Sequence, residues 1–535
     1  MDTRTITLLV VAAAAWPLPA ADDYVGSAAC AGCHKKIYED YGKSAMGRAA
    51  SPAGEHLGLA AEKVTVPSDK FQRTFEVYTE NGKLYQAESG ADFRSVHEVQ
   101  YALGSGVNGL SFMVRRGDHL FQAPLSYYSR AKSWGLSPGY EFADYGFNRP
   151  IAAACIACHS GRPQPVAGRN GQYAEPPFQE LSIGCENCHG PGREHVRRAG
   201  AKAAIVNPAK LPAARAEEIC MNCHQGGDTR VLQPGKTTVD FRPGQVLNDT
   251  VAIFKIPRSP GGSTEVDLLE HHESMRLSKC FRESAGKLNC ITCHNPHQSK
   301  PDYRATCLGC HKAPLAATHP PRTSDCVGCH MPKRDIGFIA HSALTNHRIV
   351  RTKDQALPAA AFTQTTPALP DLVHFNRTGK PLPVVTLLQA YGELMERHAP
   401  YSEKFQALLN QAAKETPAHT LVAAALGRRA LRSQAPAEAI QYLTKAVERG
   451  SESSTTFEDL SEALSQSGQL EGAVKALKRG IELAPYTPVL HKSLALRYIK
   501  LKKFDEARQA LERYVELFPE DDFVRRLLKQ VSGGR

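Results

Sequence analysis

Across the last third of this chain, apolar positions return every 34 residues. Ala439, Ala473 and Ala507 share one position of the repeat, Leu443, Leu477 and Leu511 the next, and Val447, Ile481 and Val515 the one after. The spacing of four within each unit marks one face of an α-helix. Leu426, Leu460 and Leu494 keep the same register on a preceding helix, and Pro485 and Pro519 close successive units. Helix pairs repeated in this way cannot bury their apolar faces alone and must stack on their neighbours. Three units are visible, and residues 384–418 are expected to form a degenerate cap.

Elsewhere the pattern changes. Phe75 to Gln86 alternates apolar and polar positions about Asn81-Gly82, which predicts a hairpin, and a second turn is expected at Gly117-Asp118. Residues 70–128 are therefore expected to be a small β-rich insert. Residues 351–383 are rich in Pro, Ala and Thr and predict a linker. At the start, Arg4, the apolar run Ile6–Trp16 and the small residue of Leu18-Pro19-Ala20 predict a signal peptide over residues 1–21. The run is shorter than the ~20 residues a span needs, so the expected location is periplasmic or otherwise secreted, with no membrane span after cleavage. The 34-residue period resembles the tetratricopeptide repeat, although the aromatic residue at the start of the first helix is missing. That resemblance implies an α-solenoid over residues 384–535 that docks protein partners.

The composition changes the picture through 15 cysteines beside 21 histidines. The formal charge of +11 is spread along the chain without a dense basic block, which argues against nucleic acid. All cysteines lie before residue 350, and fourteen of them fall in seven C-x-x-C-H motifs: Cys30, Cys33 and His34; Cys155, Cys158 and His159; Cys185, Cys188 and His189; Cys220, Cys223 and His224; Cys290, Cys293 and His294; Cys307, Cys310 and His311; Cys326, Cys329 and His330. Two thiols at this spacing can add to the two vinyl groups of one haem, and the adjoining imidazole then reaches the iron from one side. One such motif is weak, because C-x-x-C also serves zinc and redox sites. Seven, each followed by histidine, predict seven covalently bound c-type haems. The stretch from Cys30 to His347 leaves roughly 45 residues for each motif, too few to enclose each haem separately, so neighbouring macrocycles are expected to pack together.

Each iron needs a second axial ligand unless it is a reaction site. Ten histidines before residue 351 are not proximal: His56, His97, His119, His195, His271, His272, His297, His319, His341 and His347. His195, His297, His319 and His341 or His347 are the favoured distal ligands, whereas His56, His97 and His119 are expected to be structural. His297, three residues after His294, has a reach of only about 10 Å and is expected to serve a neighbouring haem. Met46 is a further candidate, since a thioether is a soft ligand for haem iron. The leftover Cys280 is expected to be an unpaired thiol.

GSAACAGCH, CENCHGPGREH, CITCHNPH and CVGCHMP resemble the superfamily that contains pentahaem nitrite reductase and octahaem hydroxylamine oxidoreductase, over roughly residues 24–350. With the repeats that follow, the order is similar to that of secreted multihaem cytochromes. The resemblance implies a mainly α cytochrome domain over residues 22–350 with ordered haem stacks, and distal ligation by the histidines after CHGPG and CHNP, here His195 and His297. No C-x-x-C-K motif is present, unlike the reactive haem of the nitrite reductase. The expected function is electron transfer between redox partner proteins docked by the repeats. The alternative is an oxidoreductase acting on a small nitrogen or sulfur compound at one open haem, and the sequence leaves the question of catalysis open.

Overall fold

The computed structural model describes residues 23–200, 202–258, 270–298, 301–311, 325–335, 343–352, 355–362 and 371–533. The expected signal peptide and the candidate ligands His319 and His341 lie outside these residues. Among the described residues no helix is long and apolar enough to cross a membrane.

The chain opens with α1 (Ser27–Tyr41) and then builds a ten-stranded antiparallel sheet. Its strands are β1 (Ala50–Pro52), β2 (Val64–Ser68), β3 (Arg73–Glu80), β4 (Lys83–Ser89), β5 (Arg94–Leu103), β6 (Gly109–Arg116), β7 (His119–Gln122), β8 (Leu125–Tyr128), β9 (Ser133–Leu136) and β10 (Arg149–Pro150). Both expected hairpins are present. Glu80 pairs with Lys83 across Asn81 (φ 50°) and Gly82 (φ 72°), the left-handed pair that a two-residue turn requires. Arg116 pairs with His119 across Gly117-Asp118. Phe75, Val77, Phe112, Val114 and Phe121 bury one face of the sheet, where Phe112 stacks on Trp134 at 5.0 Å. The expectation of a small insert at 70–128 is corrected. The sheet runs from Ala50 to Pro150 and makes the N-terminal region strongly β-rich rather than mainly α. The short strands β1 and β10 are defined by partners distant in sequence, so local alternation did not reveal them.

Short elements follow. They are α2 (Ala153–His159), the hairpin β11 (Arg162–Pro165) and β12 (Tyr173–Glu180), α3 (Glu186–His189), α4 (Arg193–Arg197), α5 (Ala213–His224), β13 (Thr229–Leu232) and β14 (Val251–Lys255). Next come α6 (His271–Leu277), α7 (Lys279–Glu283), α8 (Cys290–Cys293), α9 (Tyr303–Cys310), α10 (Cys326–His330), β15 (Lys333–Asp335) and β16 (Ala343–Thr345). The segment expected to be a linker is not free throughout. Its β17 (Val373–His374) adds to β14, and Asn376 bonds the backbone of Val251 and Ile253.

The C-terminal third is the expected helical solenoid: α11 (Val384–Met395), α12 (Ser402–Glu415), α13 (Thr420–Arg432), α14 (Pro436–Glu448), α15 (Ser454–Gln466), α16 (Leu470–Leu483), α17 (Pro488–Lys500), α18 (Phe504–Leu517) and α19 (Asp522–Gly533). Ala439, Ala473, Ala507, Leu443, Leu477 and Leu511 are all fully buried, as the 34-residue register requires. The solenoid is seated on the N-terminal region. Ala390 of α11 packs with Val231, Ala252 and Phe254. Arg169 donates to the carbonyl of Leu483 and pairs with Glu452, while Tyr486 packs on Phe121 and lies under the Arg116 guanidinium at 4.7 Å. Helix α11 packs along its side, whereas the contacts of Glu452, Leu483 and Tyr486 come from the turns between successive helix pairs, so one edge of the solenoid faces the body.

At the far end this seam is charged. The Arg73 guanidinium is buried 3.2 Å from Asp144 and 3.5 Å from Glu88, and it donates to the Glu520 carbonyl (2.8 Å) and to Asp522 (3.3 Å). Burial and the neighbouring acids push Glu88 up to about 9, and burial pushes Glu520 up to about 7. Both groups hold protons when docked that they release when exposed, so docking is fully stable below about pH 4.5 and weakens as pH rises toward 9. Hydrogen-exchange protection of α18 and α19, corrected for intrinsic rate, is expected to fall between pH 6 and pH 9, and Glu520→Gln is expected to flatten that fall. Arg73→Ala, which leaves buried acids facing one another, is expected to destabilise the seam by about 3–5 kcal/mol.

Candidate functional site

Every C-x-x-C-H motif lies on or at the end of a short helix: α1, α2, α3, α5, α8, α9 and α10. Positions i and i+3 share one helix face, so each turn presents both thiols together. Local chemistry starts several of these helices. Asn289 accepts from Thr292 N–H (3.1 Å), Asp302 from Ala305 N–H (2.9 Å) and Asp325 from Gly328 N–H (2.9 Å), each just ahead of its helix. At His34 the backbone leaves helical geometry (φ −115°, ψ 36°), which turns the imidazole off the helix face. All 15 cysteines are free thiols, Cys280 on α7 among them.

The motifs lie against one another. The thiols of Cys30 and Cys185, of Cys158 and Cys223, and of Cys220 and Cys290 are close enough to act on one another, lowering one thiol of each pair and raising the other. Cys307 neighbours Cys326, and burial, helped by the nearby Cys307, raises Cys293.

Histidines distant in sequence come face to face. His34 lies 6.4 Å from His195, centroid to centroid, with ring planes 16° apart. His189 faces His297 at 5.9 Å and 8°, and His294 faces His347 at 6.1 Å and 28°. His224 meets His271 at 5.5 Å and 85°, and His271 in turn touches His347 at 4.5 Å. Burial holds His224, His294, His297 and His347 below the usual histidine range, and burial plus the three neighbouring rings pushes His271 down to about 3. These rings are therefore neutral at pH 7, the form that ligates a metal. Backbone carbonyls fix several tautomers. His189 Nδ1–H donates to Val206 O (2.8 Å), His330 to Val350 O (2.8 Å) and His347 to Thr345 O (3.0 Å), so each ring keeps Nε2 as a lone-pair donor.

The three expected structural histidines are bonded locally, His97 and His119 on the sheet and His56 in the 3-10 turn after β1: His56 bonds Ser51 Oγ (2.7 Å), His97 bonds Ser95 Oγ (3.0 Å) and His119 bonds Asp118 (2.7 Å). Met46 is half-buried in the turns after α1, and its carbonyl accepts from Ser182 Oγ (3.1 Å) and Ala49 N–H. His159 has no histidine ring against it among the described residues. His271 was not singled out in the sequence, where a His-His pair ahead of no motif carries no signal.

The loop that carries His195 is set by Glu186, the residue after Cys185. Its buried carboxylate accepts from the N–H groups of Val25 (3.0 Å), Gly26 (2.8 Å) and Gly192 (2.7 Å), tying the start of α1 to the CHGPG turn. Gly190 adopts φ 73°, and a Cβ at Gly192 would stand 3.1 Å from the Glu186 carboxylate, so glycine is required at both positions.

On the solenoid, a groove of about 290 Å³ is lined by the first helices of three successive pairs. Arg428 pairs there with Asp459 (2.8 Å), and Arg497 pairs with Glu462.

Residues 493–521 match the tetratricopeptide repeat family. Over 102 residues the chain is 30% identical to the C-type polyheme cytochrome OmcC of Geobacter sulfurreducens, a match covering 18% of this chain and 12% of that protein's length. Among solved structures, MamA aligns with a TM-score of 0.24 and 21% identity, covering 26% of this chain and 81% of MamA. The first tetratricopeptide domain of Spaghetti (RPAP3), bound to an HSP90 peptide, aligns with a TM-score of 0.20 and 19% identity, covering 21% of this chain and 93% of that one. The repeat assignment therefore rests on the family match and on the 34-residue helix pairing.

Glu186→Ala would strip three backbone N–H groups of their acceptor. Chemical denaturation is expected to show a loss of about 3 kcal/mol or more, and Glu186→Gln, which keeps one oxygen, a smaller loss.

Proposed function

We propose that this chain is a multihaem c-type cytochrome of the nitrite reductase and hydroxylamine oxidoreductase superfamily. On this reading residues 22–350 form the haem domain, which carries electrons between redox partner proteins in the periplasm or another secreted location. The observation that carries the proposal is the facing of histidine rings. A metal–imidazole bond of about 2 Å on each side, with about 1 Å more to each ring centre, separates two axial rings by about 6 Å. The pairs His34/His195, His189/His297 and His294/His347 stand at 6.4, 5.9 and 6.1 Å. Among the described residues no group of three or more His, Cys, Asp or Glu side chains is arranged to hold a metal ion. Two facing imidazoles suit an iron whose other four ligands come from a macrocycle. The paired cysteines of each motif would tether it, and bound haem would supply one-electron chemistry.

The residues divide the work. The paired imidazoles would hold each iron, and the carbonyls on Nδ1–H keep the rings of His189, His330 and His347 from turning. Contiguous motifs keep successive sites close together. With His195 against His34, Met46 is left without that iron and is assigned to packing. The tetratricopeptide helices would dock the partner proteins, with the charged groove on α13, α15 and α17 as the candidate surface. One observation favours the second reading. His159 and His311 both lack a facing histidine among the described residues, and an open haem at either would be the place for a small nitrogen or sulfur substrate.

Intact mass of the mature chain is expected to equal its sequence plus seven haems, and thiol titration after denaturation is expected to find Cys280 alone. Fifteen titratable thiols would end the proposal. Electron paramagnetic resonance of the oxidised protein should be wholly low-spin for a carrier, and a high-spin signal whose line shape changes in His159→Ala or His311→Ala would select the enzyme reading.

A further inference from the structure

Helix α6 is two turns long, too short to be stable alone, and it carries an unusual share of buried polar bonds. His272 is 3% exposed, and its Nε2 lies 3.1 Å from a carboxylate oxygen of Glu217 on α5, itself 8% exposed. A carboxylate only accepts, so the ring donates through Nε2–H. Its Nδ1 is buried with no hydrogen-bond partner among the described residues. Two residues on, Ser274 Oγ bonds Asn346 Oδ1 at 3.2 Å, beside His347. Just before the helix, Glu270 accepts from Gly226 N–H (2.6 Å) and Gly227 N–H (2.9 Å), which follow His224.

These bonds join α6 to the two segments whose histidines it meets. Successive helical residues point about 100° apart, so the direction of His272 sets that of His271. Rotating α6 would leave the Glu217 carboxylate buried and unpaired, which is strongly unfavourable. The contact between His271 and His347 at 4.5 Å passes the same constraint to the second pair.

We infer that Glu217 and His272 form a positioning pair that sets His271 against His224 and, with the Ser274–Asn346 bond, holds His347 against His294. The inference rests on the reading of His271 and His347 as axial ligands. It explains why the histidine beside a ligand is buried against an acid on the very helix that bears the Cys220–His224 motif.

The His224/His271 planes are 85° apart, whereas the other three pairs lie within 28°. Near-perpendicular imidazoles give a highly anisotropic low-spin ferric signal, distinct from that of near-parallel pairs. The test compares full-length holoprotein carrying His271→Ala, Glu217→Leu, Glu217→Asp or Glu217→Gln, by intact mass, electron paramagnetic resonance and carbon monoxide binding. His271→Ala should keep seven haems, lose the anisotropic signal, and gain one high-spin haem that binds carbon monoxide. If it stays wholly low-spin with the signal intact, the ligand reading of His271 fails. Glu217→Leu should reproduce the His271→Ala spectrum at unchanged haem count, and Glu217→Gln, which keeps an acceptor, should resemble the parent. If Glu217→Leu does not accumulate, Glu217→Asp decides, because a carboxylate drawn back by one methylene should alter the anisotropic signal. A parent-like spectrum in both Glu217→Leu and Glu217→Asp, or in Glu217→Asp alone where only it accumulates, with His271→Ala changed, overturns the positioning role and leaves the ligand assignment standing.

Discussion

The path of the N-terminal region follows from one recurring contact, an imidazole at the end of a C-x-x-C turn facing a second imidazole from elsewhere in the chain. His34 meets His195, and His294 meets His347, across about 6 Å. Neither partner can occupy its place unless the intervening chain returns to the same point, so each contact acts as a long-range restraint on otherwise short elements. Burial favours the neutral ring of His347, and carbonyls on Nδ1–H leave Nε2 of His189 and His347 as lone-pair donors. The Glu186 carboxylate acts in the same sense on the backbone, joining the start of α1 to the turn that delivers His195.

Around this centre the two regular parts have different tasks. The ten-stranded sheet has its own aromatic core, and the end of β6 and the start of β3 meet the solenoid at Tyr486 and Glu520. The solenoid meets the body through α11 and through its later inter-repeat turns, so its charged groove, lined by residues such as Arg428, Asp459 and Arg497, is left to other contacts. The seam mixes aromatic packing at Tyr486 with buried charge at Arg73. Such charge adds less to stability than to the uniqueness of the docked arrangement, because any shift leaves Glu88 or Asp144 facing another acid.

What was legible in the sequence was local. The repeat showed itself because stacked helix pairs impose one register on Ala439, Ala473 and Ala507, and the Asn81-Gly82 hairpin because a two-residue turn needs left-handed backbone. The motif thiols and their histidines stood out because two thiols must share one helical turn. His195 and His297 stand in the CHGPG and CHNP turns that the family resemblance singles out, and the structure sets their rings opposite His34 and His189.

The sequence alone thus determined the helix pairs, the hairpins and the chemistry presented by each short turn, because each is governed by residues within a few positions of one another. Only the tertiary structure decided which histidine faces which, that His271 and not only His347 stands at the centre of the array, that the sheet extends from Ala50 to Pro150, and that the supposed linker supplies a strand to β14. Those outcomes depend on contacts between segments far apart in the chain, where ring burial, backbone pairing and the cost of an unpaired buried carboxylate choose among partners that are chemically alike.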